Sequence, residues 1–180
     1  LLKPGITIVI DPITALMEDQ KEGLEDYGIS RSAAYYSGIQ DIHKKIIEKG
    51  ITNSEFYFIF ISPERLQSPS FRERIATFTQ STFTNLCVID EAHCVSEWGH
   101  DFRPAYLNLS KNIKLLMRDK NNNPPPIVAL TGTASRAVLR DILVELSIDK
   151  NNKDSIIKPS NFDRKELSFF IDKSREVATY

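Results

Sequence analysis

Cysteine is scarce in this 180-residue sequence: Cys87 and Cys94 stand seven apart, in no metal-type spacing. Two thiols exclude a disulfide framework or a cysteine-built metal cluster, and because Cys87 falls inside an apolar run both read as reduced, structural thiols. Net charge is equally lacking. The 23 Lys and Arg are balanced by 24 Asp and Glu, with an isoelectric point near 6.4, so there is no global positive field to draw in nucleic acid, and any such contact must come from a local patch. No stretch approaches ~18 consecutive apolar residues, and no basic region at the start leads into an apolar one. Neither a membrane span nor a signal peptide is predicted, and the expectation is a soluble protein inside the cell with no membrane partner. Internal repeats are absent as well.

What is present is concentrated in one run, LCVIDEAHCVSEWGHDFRP, residues 86–104. Its apolar start reads as a buried strand over 86–89, which delivers Asp90 and Glu91 at its C-terminal end. Open α/β sheets place their chemistry at that end of the strands. His93 follows, and then a loop holding Trp98, His100, Phe102 and Arg103, an aromatic and cationic composition suited to contact with a ligand.

The chain around this run has a βα rhythm. ITIVI, 6–10, reads as a buried strand that is already inside a domain, so the sequence reads as part of a longer chain. Asp11 is placed to cap a helix with Pro12 at its first position, and Ile13, Leu16, Met17 and Leu24 give that helix an apolar face. A short strand over 32–36 precedes a helix over 39–49, with Ile39, Ile42, Ile46 and Ile47 on one stripe and Gly50 placed to end it. The strand at 56–61 runs into SPERL, where Ser62 can cap a short helix, and a further helix is expected over 71–79. Beyond the central run, Pro104 opens a helix to about residue 118, NNNPPP at 121–126 is an exposed loop, and IVALT at 127–131 is another buried strand. A helix with Val138, Leu139, Ile142, Leu143 and Leu146 on one side follows it. Short strands are expected at 156–158 and 167–172. The predicted fold is α/β, a parallel sheet covered by helices on both faces, and a chain of this size can bury roughly 70% of its unfolded surface.

An Asp-Glu pair ending a buried strand suits metal-assisted phosphoryl transfer: the first carboxylate holds Mg²⁺ through water, and the second orients and deprotonates the attacking water. Standing alone, the pair could equally be a cap and first-turn acid of a helix. DEAH followed by CVSEWGHDFRP resembles the Walker B motif and aromatic-rich loop of RecQ-family DNA helicases, members of helicase superfamily 2. VIDPITALMEDQ, 9–20, resembles that family's motif Ia; FISPERL, 60–66, its motif Ib; ALTGTAS, 129–135, its motif III; and SNFDRKEL, 160–167, the segment joining its first RecA-like domain to the second. Small departures occur: Asp11 where Ser is usual, Thr14 and Ala15 where an apolar residue and Ser are usual, Gly132 for Ala, and Lys165 for Pro. A P-loop, GxxxxGK[ST], is missing from the sequence.

The resemblance implies a RecA-like fold without its P-loop strand, an N-terminally truncated motor domain over 1–153 with 154–180 leading into a second RecA-like domain. It implies ATP and Mg²⁺ as cofactors, single-stranded and forked DNA as partners, and 3′ to 5′ unwinding in DNA repair and recombination, with the chain by itself inactive. Location follows as cytoplasm or nucleoid in a bacterium, nucleus in a eukaryote. By motif position Asp90 binds Mg²⁺ through water, Glu91 is the general base and His93 links the γ-phosphate region to the DNA-facing loop. Trp98, His100, Phe102 and Arg103 contact single-stranded DNA, Pro12, Glu64 and Arg65 belong to a DNA-facing edge, and Thr131 and Thr133 couple the domains. Blander readings stand beside these: Trp98 as a core anchor, Thr131 and Thr133 as strand residue and helix cap, Arg65 in a surface salt bridge. A non-catalytic DNA-binding or interaction module derived from a helicase, or another superfamily 2 ATPase, remain alternatives for the whole.

Overall fold

A computed structural model describes residues 5–81, 83–97, 101–158, 167–168 and 170. The chain divides after Asp149 into two compact units. The first is built on five parallel strands, β1 (Ile6–Ile10), β2 (Ser32–Tyr35), β3 (Phe58–Ile61), β4 (Thr84–Ile89) and β5 (Ile127–Ala129), in the order β2-β3-β1-β4-β5. Five α-helices accompany them: α1 (Thr14–Asp26), α2 (Asp41–Thr52), α3 (Pro69–Ser81), α4 (Leu109–Leu116) and α5 (Arg136–Glu145).

Strand alternation divides the core between the two faces of the sheet. Ile8, Ile10, Ile59, Ile61, Cys87 and Ile89 join one cluster with Ile51, Phe71, Ile75, Ile113, Val138 and Ile142, residues of α2 to α5. Val9, Ala34 and Phe60 face the other way and meet Met17 of α1. Each fully buried Ile contributes about 1.5–3 kcal/mol relative to an exposed one. The division follows from handedness: the β1–α1–β2 crossover runs one way across the sheet and the other three run the opposite way, so right-handed connections put α1 on one face and the rest on the other.

That asymmetry corrects the expectation that residues 127–131 form a buried strand. On the edge strand β5, Ile127 and Ala129 pack on the core, whereas Val128 is 39% exposed and Leu130 48%. Among the described residues, α1 is the helix that covers its face, over β1 to β3, and it stops short of β5.

Four local expectations also change. Asp11 does not cap α1; its Oδ1 accepts the N–H of Ile13 at 2.8 Å in a turn ahead of the helix, and Ile13, placed on the apolar face by sequence, is exposed. Gly50 lies inside α2, not at its end, and its lack of a Cβ makes room for the Phe56 ring, which such an atom would approach to 2.6 Å. Of the expected stripe Ile42 and Ile46 are more than 60% exposed, whereas Ile47 packs on the core, and α2 anchors through it and Ile51, four residues further on the same helical face. The helix expected from Pro104 is broken: Pro104–Tyr106 makes a 3₁₀ turn, Asn108 takes a left-handed conformation (φ 58°), and α4 begins at Leu109. The break leaves Tyr106 free to turn toward β4, where its hydroxyl donates to the Asp90 carbonyl at 3.1 Å.

In the second unit Lys153–Ser155 forms a 3₁₀ turn, with the Asn152 side chain accepting the N–H of Asp154 at 3.0 Å. Residues 156–158 are not a strand, and Ile157 is 94% exposed. Most of the strand expected at 167–172 lies outside the described residues.

Candidate functional site

Connections leave β1 and β4 in opposite directions, and where neighbouring parallel strands part in this way their C-terminal ends open into a crevice. Asp11 follows β1 there, Asp90 and Glu91 follow β4, and Thr131 follows β5. The backbone fastens these ends together: Asp90 N–H donates to Ile10 O at 2.8 Å, Leu130 N–H to Ile89 O at 2.9 Å, and Ala92 N–H to Leu130 O at 2.8 Å.

Asp90 is held on both oxygens. Oδ1 accepts the N–H of Glu91 at 2.9 Å and Oδ2 accepts the Gln20 side-chain amide of α1 at 3.2 Å. Each oxygen keeps a lone pair. Among the described residues no group of three or more His, Cys, Asp or Glu could hold a metal ion. A single carboxylate with lone pairs to spare nonetheless fits Mg²⁺, which keeps much of its water and takes other ligands from phosphates.

Glu91 sits in the left-handed region (φ 46°, ψ 45°) at the start of the 3₁₀ turn Ala92–Val95, a conformation that costs a non-glycine residue about 1–2 kcal/mol. It turns the carboxylate back over the strand end, where Oε2 lies 3.1 Å from His93 Nδ1. The same nitrogen is 3.1 Å from Thr131 Oγ1. Thr131 gives its hydroxyl proton to Thr133 O at 3.0 Å, so it faces His93 as an acceptor, and Nδ1 carries the hydrogen shared between Glu91 and Thr131. On the other edge of the ring Nε2 lies 3.8 Å from the Asp101 carboxylate. The structure thus joins Glu91, His93, Thr131 and Thr133 in one polar chain.

Asp11 is wholly buried beside this group. Its Oδ2 has no hydrogen-bond partner among the described residues. Burial pushes its carboxyl up to about 6; the Ile13 N–H pulls it back, the negative charges of Asp90 and Glu91 raise it further, and the Arg103 guanidinium lowers it. Arg103 reaches the same place from the loop, donating from Nη1 to Pro12 O at 3.1 Å and from its backbone N–H to Cys94 O at 3.1 Å. Phe102 beside it is half-buried. Burial also pushes the Cys87 and Cys94 thiols up, away from reactive thiolates.

Glu64 and Arg65 form a separate group in the 3₁₀ turn Pro63–Gln67, after β3. Glu64 is exposed, while Arg65 lies 4.6 Å above the Tyr35 ring and donates to Tyr36 O. Trp98 and His100 lie outside the described residues. Sequence reasoning missed Gln20 and Tyr106 as supports of Asp90. Gln20 falls within the run 9–20 but carries no chemistry of its own, and Tyr106 reads as a core residue until its hydroxyl is placed.

The family described as DEAD/DEAH box helicase matches residues 2–142. In Bacillus subtilis (strain 168), ATP-dependent DNA helicase RecQ is 39% identical over 175 residues, covering 96% of this chain and 27% of that protein. The probable ATP-dependent DNA helicase RecS of the same strain is 37% identical over 158 residues, covering 87% of this chain and 29% of that protein. The chain therefore spans less than a third of either relative's length. The crystal structure of the Pyrococcus furiosus Hef helicase domain matches with a TM-score of 0.56 at 18% identity, over 83% of this chain and 28% of that one, a likeness of fold. The chain belongs to the DEAD/DEAH box helicase family of superfamily 2, and within it is closely related to the bacterial RecQ and RecS helicases.

Proposed function

We propose that this chain supplies the hydrolytic carboxylates and the DNA-sensing loop of an ATP-dependent DNA helicase that moves 3′ to 5′ on single-stranded DNA and opens forked duplexes. The observation that carries the reading is the polar chain from Glu91 through His93 to Thr131, which ties a base at the end of β4 to the segment after β5. Residues 1–153 form the first RecA-like domain, and 154–180 lead into a second that completes the nucleotide cleft.

Asp90 would hold Mg²⁺ through water, and the ion would neutralise phosphate charge. Gln20 and the Glu91 N–H fix the Asp90 carboxylate so that it is ready for that task without rearrangement. Glu91 orients the attacking water and accepts its proton, while His93 holds the glutamate in position through Nδ1. Arg103 pairs with a DNA phosphate, and Trp98, His100 and Phe102 offer ring faces to the bases. Pro12, Glu64 and Arg65 line the edge along which the strand passes. Thr131 and Thr133 pass the state of the nucleotide on to the second domain.

Glu91→Gln in the complete protein keeps the shape and removes the base. ATP binding should stay nearly intact while hydrolysis falls by at least ~10²-fold. Undiminished turnover would show that Glu91 is not the base.

A further inference from the structure

Ala92 N–H on Leu130 O and the link from His93 to Thr131 attach the start of the Ala92–Val95 turn to the β5–α5 segment, and a further attachment lies at the far end of that turn. Ser96, which ends it, is 1% exposed, and its hydroxyl donates to Asp141 Oδ2 at 2.5 Å. That separation lies at the short end for a hydroxyl donating to a carboxylate. Asp141 belongs to α5, whose first turn is capped by Ser135 accepting the Val138 N–H at 3.3 Å. Its neighbours Val138 and Ile142 already pack in the same apolar cluster as Ala92, Cys94 and Val95, so cohesion of turn and helix does not require an acidic residue here.

With polar contacts to the β5–α5 segment only at its Ala92–His93 end, the turn can swing at its Ser96 end, whereas polar contacts at both ends fix its orientation. Orientation matters because the turn serves two partners: Cys94 N–H donates to Glu91 O at 2.9 Å, and Cys94 O accepts the Arg103 N–H at 3.1 Å. The base is on one side of it and the loop cation on the other.

We infer that Asp141 is a positioning residue which, through the Ser96 hydroxyl, fixes the orientation of the Ala92–Val95 turn and so keeps Arg103 in register with Glu91. Its consequence for turnover rests on the function proposed above; its effect on the turn does not. Neither Ser96 nor Asp141 touches nucleotide or DNA in that reading. Their loss should therefore alter how DNA is sensed and spare hydrolysis without DNA.

The test uses the complete protein carrying this chain. In Asp141→Ala and in Ser96→Ala, the DNA concentration giving half-maximal ATPase stimulation should rise about tenfold, while the rate without DNA stays within about twofold, because a charge-assisted hydrogen bond has been lost outside the reacting centre. Asp141→Asn keeps an acceptor and should recover most of the sensitivity, and the double Ala variant should be no worse than either single one. Deuterium uptake at residues 94–97 and 101–103 should rise in the Ala variants while β1 and β3 stay protected. If Asp141→Ala does not fold, Ser96→Ala, which deletes one oxygen, carries the same expectations. Unchanged half-saturation together with unchanged uptake in the Ala variants would overturn the inference, as would equal losses with and without DNA that Asn fails to relieve. A Glu91→Gln protein that still hydrolyses ATP would refute the proposed function instead, and the uptake measurement would still decide the role of Asp141.

Discussion

At Asp11 a carboxyl that ordinarily titrates near 3.8 is pushed up to about 6 within a fully buried site. Between those values the unfolded chain has released its proton and the folded chain has not, so stability falls as pH rises through that window and levels off above it. The shift corresponds to about 3 kcal/mol that folding forgoes at neutral pH. Asp11→Asn keeps the shape without the charge, so urea denaturation should show a gain of up to about 3 kcal/mol at pH 7.5 and almost none at pH 4. A gain of the same size at both pH values would mean that ionisation of Asp11 is not its source. The sequence marks Asp11 as unusual for its motif, but its burial, and the Arg103 guanidinium that acts on it from elsewhere in the chain, are visible only in the fold. Glu91 is a similar case: DEAH makes the residue legible, whereas its left-handed backbone, which aims the carboxylate at His93, is visible only in the fold.

Among the elements, β5 differs most from its sequence. Three parallel crossovers in one direction and one in the other leave α1 alone on its face among the described helices, and Val128 is consequently uncovered. The outer edge of β5 pairs with no strand among the described residues, and its short run carries no charge or proline to discourage pairing with another chain. Val128→Lys should therefore reduce concentration-dependent association of the 180-residue chain in sedimentation runs while leaving its circular dichroism unchanged. Association that persists undiminished would place the contact elsewhere. α2 shows the reverse case, in which Ile42 and Ile46 of the expected core stripe face outward while Ile47 and Ile51 reach the core and the ring of Phe56 sits against Gly50.

On the scale of the molecule, the 180 residues bring two acidic side chains to the proposed phosphate end of the crevice and contain no GxxxxGK[ST] loop to offset them. Asp90 and Glu91 repel ATP unless Mg²⁺ intervenes, and among the described residues no run of backbone N–H groups with a Lys is available to cradle the phosphates. Calorimetry of the 180-residue chain with Mg-ATP should show no saturable binding at millimolar nucleotide. Saturable binding would show that the carboxylate end of the crevice suffices by itself. The relatives, of which this chain spans under a third, carry far more sequence with which to complete such a site.

The sequence by itself determined the parallel α/β class, the strand that ends in Asp90 and Glu91, and the family, because apolar runs and contiguous motifs are local and can be read in order. Tertiary structure alone decided which residues meet. Gln20 reaches Asp90 across 70 positions, Arg103 reaches Pro12 across 91, and Ser96 reaches Asp141 across 45. Those contacts depend on strand order and on the handedness of the crossovers, which set the neighbours of each strand end, and no local pattern of residues encodes them.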